Sequence, residues 1–521
     1  MARPENYDKL PMYWVGDFAG RRAKLAPRRT AVFDATSGIR LRYADVDDRA
    51  RRVATYLADE LGLKKGDRVC FLSQNRVEAI DLFMAAGKLG VILAPLSFRL
   101  KKRELDDLLG RIEPQALFYE DAFAELADSL DMPDSVRARV ELADGPCGYR
   151  DQVLATPARD VNVPLALDDT ALYIHTGGTT ATPKVCIISH RQMVWNSVEI
   201  MLGAADSLTD RRELLTFPLF HVGGWNTFLP VFHSGGYAVL MRKFEPEAAL
   251  GIIESEGINH MGAVEPMLKF MAEHPSFATA DLSSLRGIMT GGAPCAAATM
   301  EPFWQRGIPV AQSYGLTEAG PSNFVHAAWD SSMDELKAHS DSIGTSFFHC
   351  DYQIVDQDTL EPVSRGREGV LLMRSPHNFD GYLGQPDRTA QAFVKDGWIY
   401  SGDLARETEE GYVYIVGRAD NMFVSGGENV SPEEIENVLV AHDGVRQAAV
   451  IGVKDETWGQ APVAVVVPAD PGAPPTETEL GRHCKAQLAG FKIPKRFDFT
   501  DALPLTGAGK LDRSALKKRY T

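Results

Sequence analysis

Ala171-Leu172-Tyr173-Ile174-His175-Thr176-Gly177-Gly178-Thr179-Thr180-Ala181-Thr182-Pro183-Lys184 is the stretch from which the rest of the chain can be read. An apolar strand over 171–174 runs into a loop of small and hydroxyl-bearing residues that closes on Pro183 and Lys184. Small residues let backbone N–H groups approach an anion, hydroxyls add donors, and the lysine adds a point charge. The loop therefore has the composition of a phosphate cradle. It is not the Walker loop, because the Gly-Lys-Ser/Thr ending is absent.

Upstream of this loop, Val46, Ala50, Val53, Leu57 and Leu61 recur at spacings of three and four, which predicts a helix that ends near Gly62. Gly66-Asp67 turns into a strand over 68–72; a helix over 80–89 and a strand over 91–94 follow. Strands alternating with helices predict α/β architecture around a largely parallel sheet. After about residue 360 the pattern changes: Val370-Leu371-Leu372-Met373 and Tyr412-Val413-Tyr414-Ile415-Val416 sit between Gly, Asp and Pro clusters, as antiparallel strands do. Ser431-Pro432-Glu433-Glu434 reads as a helix start with a capping box, Ser431 accepting from the Glu434 amide. Two short strands over 448–453 and 461–467, then a helix from Thr476, complete a small α+β domain. The expected boundary lies over 417–421.

The 521 residues are too many for one simple core at roughly 100–200 residues per domain. With 45% hydrophobic and 24% charged residues the composition is that of a folded globular protein. Lys+Arg total 55 against 71 Asp+Glu, a net charge of −16, and no basic arm offsets it, so a nucleic-acid partner is not expected. A mononucleotide is still allowed, since local backbone donors and a few cations hold it. The acidic, non-apolar start is not expected to be a secretory signal, and no run approaches the ~18 apolar residues that span a bilayer. Cys70, Cys147, Cys186, Cys295, Cys350 and Cys484 are scattered too widely for a zinc knuckle or a disulfide scaffold. They read as buried small apolar residues of a reducing compartment, with the cytoplasm as the expected location.

Five further motifs follow in order: Gly291-Gly292-Ala293-Pro294; Ser313-Tyr314-Gly315-Leu316-Thr317-Glu318; Tyr400-Ser401-Gly402-Asp403; Gly417-Arg418-Ala419-Asp420; and Pro504-Leu505-Thr506-Gly507-Ala508-Gly509-Lys510. Together with the 171–184 loop they resemble the motifs of the AMP-forming adenylating enzymes, which include acyl-CoA synthetases, stand-alone adenylation domains and luciferases. The resemblance runs from about residue 43 to 513. The loop departs from the usual form at Gly177, Ala181 and Val185.

The resemblance implies a large N-terminal α/β domain over 1–419, with mixed subdomains and a small β subdomain, and a small mobile α+β lid over 420–521. It implies ATP, Mg2+ and CoA as cofactor and co-substrates. Thr176, Gly177, Gly178, Thr179, Thr180 and Lys184 would hold the phosphates. Gly292, Ala293, Pro294, Ser313, Tyr314 and Gly315 would frame the adenine, with Tyr314 stacked on it. Thr317 would touch the α-phosphate and Glu318 would hold the metal. Asp403 would accept from the ribose hydroxyls, with Arg418 nearby and Asp420 as the hinge. Lys510 would bridge the substrate carboxylate and the α-phosphate.

Ser425-Gly426-Gly427-Glu428-Asn429 places two adjacent glycines where a pantetheine arm must pass the backbone, a feature of the acyl-CoA synthetases. Trp458 and Phe491 resemble CoA contacts; for Trp458 a place in the small-domain core is an equal alternative. Phe217-Pro218-Leu219-Phe220-His221-Val222-Gly223-Gly224-Trp225 matches the segment beside the carboxylate, with His221 as its switching aromatic. Trp225, Val264 and Gly291 would line the acyl pocket. Glu265 either recognises a polar acid or faces away. The expected activity is a carboxylic acid–CoA ligase acting through an acyl-adenylate on a medium-to-long-chain fatty acid. An aryl or short functionalised acid, or a catalytically impaired ATP or acyl-AMP binder, are the alternatives. A homodimer is one assembly it allows.

Overall fold

The computed structural model describes residues 6–176, 183–203, 210–327, 330–419, 421–425, 428–455, 458–505 and 511–520. The chain packs as two units: Met1–Tyr352 with Met373–Ile399, and Gln353–Leu372 with Tyr400–Thr521. The architecture is α/β.

Two sheets organise the first unit. One has the order Gly381–Tyr382, Lys184–Ser189, Thr170–Thr176, Ile92–Leu96, Arg68–Leu72, Ala116–Glu120, Ala138–Leu142. Arg68–Leu72 pairs in parallel with Ile92–Leu96 and Ala116–Glu120, and these strands are almost wholly buried, as strands with a covered sheet face on each side must be. Thr170–Thr176 and Lys184–Ser189 form an antiparallel hairpin with Thr176 opposite Lys184, so both ends of the phosphate-cradle loop are fixed by strand pairing. The predicted helix runs over Tyr43–Thr55 and continues as a π-turn over Tyr56–Glu60, before Gly62 reverses the chain at φ 63°. The next helix, Val77–Leu89, is buried along its whole length.

The second sheet contains, in order, Phe324–Val325, Val310–Tyr314, Gly287–Thr290, His260–Ala263, Arg212–Leu215 and Tyr237–Leu240. The strands from Val310–Tyr314 to Tyr237–Leu240 are mutually parallel. Leu214, Met261, Ile288 and Val310 enter a core with Phe303 and Trp304. All six cysteines are buried and free, and among the described residues no helix is long and apolar enough to cross a membrane.

In the second unit the segments expected as two short strands are one long antiparallel pair, Val445–Asp455 against Gly459–Pro468. Each is longer than its apolar run because the ladder carries polar residues such as Lys454 and Gln460 along the pair. The helix Pro432–Val440 starts where predicted, but the capping box does not form. Ser431 instead donates to the Val416 carbonyl at 2.9 Å, because Gly417 runs so close that a Cβ there would lie 2.0 Å from the serine hydroxyl. The next helix, Glu477–Gln487, does carry a capping box: Thr476 accepts from the Glu479 amide at 3.2 Å.

Candidate active site

In a parallel sheet, ligands gather beyond the carboxyl ends of the strands. Four of the sequence motifs leave adjacent parallel strands at that end of the second sheet. Arg212–Leu215 leads to Phe217 and His221, His260–Ala263 to Val264, Gly287–Thr290 to Gly291, and Val310–Tyr314 to Gly315, Thr317 and Glu318. The hydrogen bonds that hold these turns link the segments to each other. Ser313 donates through Oγ to the Thr290 carbonyl at 2.9 Å, and Gln312 Oε1 accepts from the Cys295 amide at 3.0 Å, tying down the loop that carries Gly292, Ala293 and Pro294. Gly292 adopts φ 82°, and this loop is largely exposed. Asn75 grips the Phe217–Leu219 stretch from both sides, donating to the Phe217 carbonyl at 3.0 Å and accepting from the Leu219 amide at 2.8 Å.

His221 is exposed and caps the helix Val222–Ser234, accepting from the Gly223 amide at 3.2 Å through Nδ1. Tyr314 meets Phe324 edge to face, at 6.0 Å between ring centres. Thr317 is buried and Glu318 partly so. Glu318 accepts from the Tyr382 hydroxyl at 2.6 Å, and Lys184 Nζ lies 4.8 Å from the centre of the Tyr382 ring. One tyrosine thus joins the carboxylate at the end of one sheet to the lysine of the phosphate-cradle hairpin in the other. Burial and the Glu318 charge both push the Tyr382 hydroxyl far above its ordinary range, so it stays a donor. His175, just before the loop, accepts from the Ser97 amide at 3.0 Å, and burial pulls its pKa down to about 4.

In the second unit, Asp403 and Arg418 are directly opposite on antiparallel strands. The guanidinium donates to the carboxylate at 3.0 Å and to the Ser401 carbonyl at 3.2 Å. Phe491 is half-buried and packs against the small-domain core, as Val438 and Ile493 also do. Trp458 is 42% exposed, with Lys495 Nζ 5.5 Å from its ring centre, so it is not part of that core. Gly177, Gly178, Thr179 and Thr180, Asp420, Gly426 and Gly427, and Lys510 lie outside the described residues.

The chain matches an AMP-binding enzyme family model over residues 20–383 and an AMP-binding enzyme C-terminal domain model over 434–510. The chain belongs to the AMP-binding enzyme family. It is an AMP-forming acid–thiol ligase of the acyl-CoA synthetase type. A feruloyl-CoA synthase of Amycolatopsis sp is 35% identical over 509 residues, 97% of this chain and 99% of that protein. A long-chain-fatty-acid–CoA ligase of Mycobacterium tuberculosis is 31% identical over 511 residues, 97% of this chain and 98% of that one. Among solved structures, o-succinylbenzoate coenzyme A synthetase from Bacillus subtilis, in complex with ATP and magnesium, superposes with a TM-score of 0.84 at 27% identity. That match covers 96% of this chain and 99% of the other.

Within this acyl-CoA synthetase, sequence reasoning left Glu265 between two roles, and the structure gives it a third. Glu265 accepts from the Ala296 amide and the Thr299 hydroxyl, both at 3.0 Å, and so caps the helix Ala297–Trp304. Tyr382, Gln312 and Asn75 were missed. Each acts through a partner far along the chain, and no local spacing announces that.

Proposed function

We propose that this acyl-CoA synthetase joins a compact aromatic carboxylic acid to CoA through an acyl-adenylate formed from ATP. The observation that carries this choice of acid is Trp225. Its side chain is fully buried, with its ring stacked on Phe83 at 4.5 Å between centres and 28° between planes. A tryptophan that gates a long tunnel must swing aside, and this one is locked between aromatic neighbours, with Phe228 edge-on at 6.3 Å. Beside it is a narrow recess lined by Val222, Trp225 and Pro321 among others. The likeness to a feruloyl-CoA synthase supports the same reading. A medium-to-long-chain fatty acid is the second reading, favoured by the similarity to the mycobacterial ligase.

A carboxylate resists nucleophiles because it is charged; transfer of AMP to it makes a mixed anhydride with a good leaving group. That step is an in-line displacement at the α-phosphate, and catalysis there is positioning and electrostatic stabilisation. Lys184, with Thr176, Gly177, Gly178, Thr179 and Thr180, would hold the β- and γ-phosphates. Thr317 would donate to the α-phosphate, and Asp403 with Arg418 would bind the ribose. Among the described residues no group of three or more His, Cys, Asp or Glu converges. A lone carboxylate such as Glu318, fixed by Tyr382, suits Mg2+, which prefers one or two carboxylates plus substrate phosphates. The ion would neutralise charge on those phosphates.

Lys510, on a lid over 420–521, would bridge the acid and the α-phosphate during adenylation. Turning at Asp420 would then withdraw it and bring in the Gly426-Gly427 segment, Trp458 and Phe491 with CoA. The test is CoA-dependent AMP release across a panel of aromatic, short functionalised and C8–C18 acids. Highest kcat/KM on an aromatic acid is expected. Preference for the long chains would overturn the choice of acid, and no turnover of any acid would end the reading altogether.

A further inference from the structure

The helix His190–Gly203 opens with two side chains that act on the turn carrying Thr317 and Glu318. Gln192 reaches it directly, donating through Nε2 to the Thr317 carbonyl at 2.9 Å. Arg191 reaches it through an intermediary, the segment over 376–382.

That segment grips the turn at three points. The Phe379 amide donates to the Glu318 carbonyl at 2.9 Å, the Tyr382 hydroxyl to the Glu318 carboxylate at 2.6 Å, and His377 Nδ1 to the Gly320 carbonyl at 3.3 Å. His377 and Gly320 are so close that a Cβ on the glycine would lie 1.9 Å from the imidazole. Both the backbone and the carboxylate of Glu318 are therefore set by where 376–382 lies.

Arg191 clamps the first half of that segment. Its Nη1 donates to the Pro376 carbonyl and, at 3.4 Å, to the Asn378 carbonyl, while Nη2 donates to the Asp380 carboxylate at 2.6 Å. Nε donates to Asp168 at 3.0 Å and the Arg191 amide to the Leu167 carbonyl at 2.7 Å, which fixes the clamp itself. The side chain is only 17% exposed, and every guanidinium nitrogen is engaged. A rigid fork of donors can hold two carbonyls and two carboxylates at once; a lysine, as a single point charge, cannot.

We propose that Arg191 is a positioning residue for adenylation, holding the segment over 376–380 so that Glu318 is fixed to receive Mg2+ beside the α-phosphate. The proposal rests on the reading of Glu318 as the metal ligand and extends it to a side chain that touches neither metal nor substrate.

The first readout involves no turnover: the gain in ATP affinity that Mg2+ confers, measured by calorimetry on the full chain with excess Mg2+ or with EDTA, and without acid. The second is acid-dependent exchange of labelled pyrophosphate into ATP. Arg191→Gln should cut the Mg2+ gain by about three- to tenfold. It should lower the kcat of exchange by about ten- to a hundredfold, with KM for the acid within about twofold, since a misplaced group of this kind costs rate more than binding. Arg191→Lys, which keeps one contact of the fork, should fall between wild type and Arg191→Gln in both readouts. Because Arg191 and Tyr382 act on the same carboxylate, Arg191→Gln combined with Tyr382→Phe should lose less than the product of the single losses. Glu318→Gln is measured alongside. An unchanged Mg2+ gain in Arg191→Gln where Glu318→Gln abolishes it, or single losses that simply multiply, overturns the proposal and leaves the metal reading standing. An unchanged gain in Glu318→Gln ends both. If Arg191→Gln does not fold, Asp380→Asn, which loosens the same clamp at one point, decides by the same measurements.

Discussion

Replacing Gly315 with alanine should disable adenylation while leaving the protein folded, and the structure sets the size of the effect. A Cβ at this position would lie 1.6 Å from the Pro321 carbonyl oxygen, 2.4 Å from its carbon and 2.8 Å from Asn323 Oδ1. Since real Cβ atoms stay beyond 3.0 Å, two backbone segments must part by more than an ångström. One segment runs straight into Thr317 and Glu318; the other is the wall of the recess. A 1 Å displacement of positioning groups costs a reaction about a hundredfold. Overpacking of this kind lowers stability by roughly 1–3 kcal/mol, which a domain of this size can absorb. The assay is acid-dependent exchange of labelled pyrophosphate into ATP, alongside urea unfolding. Gly110→Ala is the control: it sits within the helix Lys102–Ile112 with no atom within 4 Å of a new Cβ, and should gain about 0.5–1 kcal/mol. Exchange at the wild-type rate by Gly315→Ala would show that this close approach does not position the site.

Tyr382→Phe removes the donor to Glu318 but keeps the ring beside Lys184. A hydrogen bond to a charged group is worth about 1.5–3 kcal/mol, so the exchange rate should fall by one to two orders of magnitude and its Mg2+ requirement should rise; an unchanged Mg2+ titration would refute the link. Lys510→Ala should abolish acyl-AMP formation yet largely spare thioester formation from supplied acyl-AMP, and equal loss in both half-reactions would contradict that division of labour. Glu265→Ala should cost about 1 kcal/mol in urea unfolding, as loss of a helix cap does, with acid preference unmoved; a changed preference would restore Glu265 to the acyl pocket. Burial holds the His190 pKa down to about 4, so the ring is neutral when folded and takes up a proton on unfolding below about pH 6.5. Stability is therefore lost as pH falls from about 6.5 to 4, at roughly 1.4 kcal/mol per unit for this histidine. His190→Phe should flatten the slope of unfolding free energy against pH in that window, and an identical slope would sink the assignment.

The amino-acid sequence alone determined the elements and the family. Spacings of three and four placed the helices near Val46 and Ile80, apolar runs placed the strands at Arg68 and Val370, and a cradle of small residues before Lys184 announced phosphate chemistry. Those signals are written within a few residues of one another, where backbone geometry and side-chain periodicity act directly. Ser431 shows where local reading stops: its capping box was written correctly but lost to a backbone carbonyl brought close by Gly417. Only the tertiary structure set Tyr382 on Glu318, 64 residues away, Gln192 on Thr317, 125 away, and Asn75 on Phe217, 142 away. It also stacked Trp225 on Phe83, 142 residues away along the chain. Such pairings depend on which sheets and helices pack together, because a side chain's partner is fixed by the summed burial of whole elements rather than by its sequence neighbours.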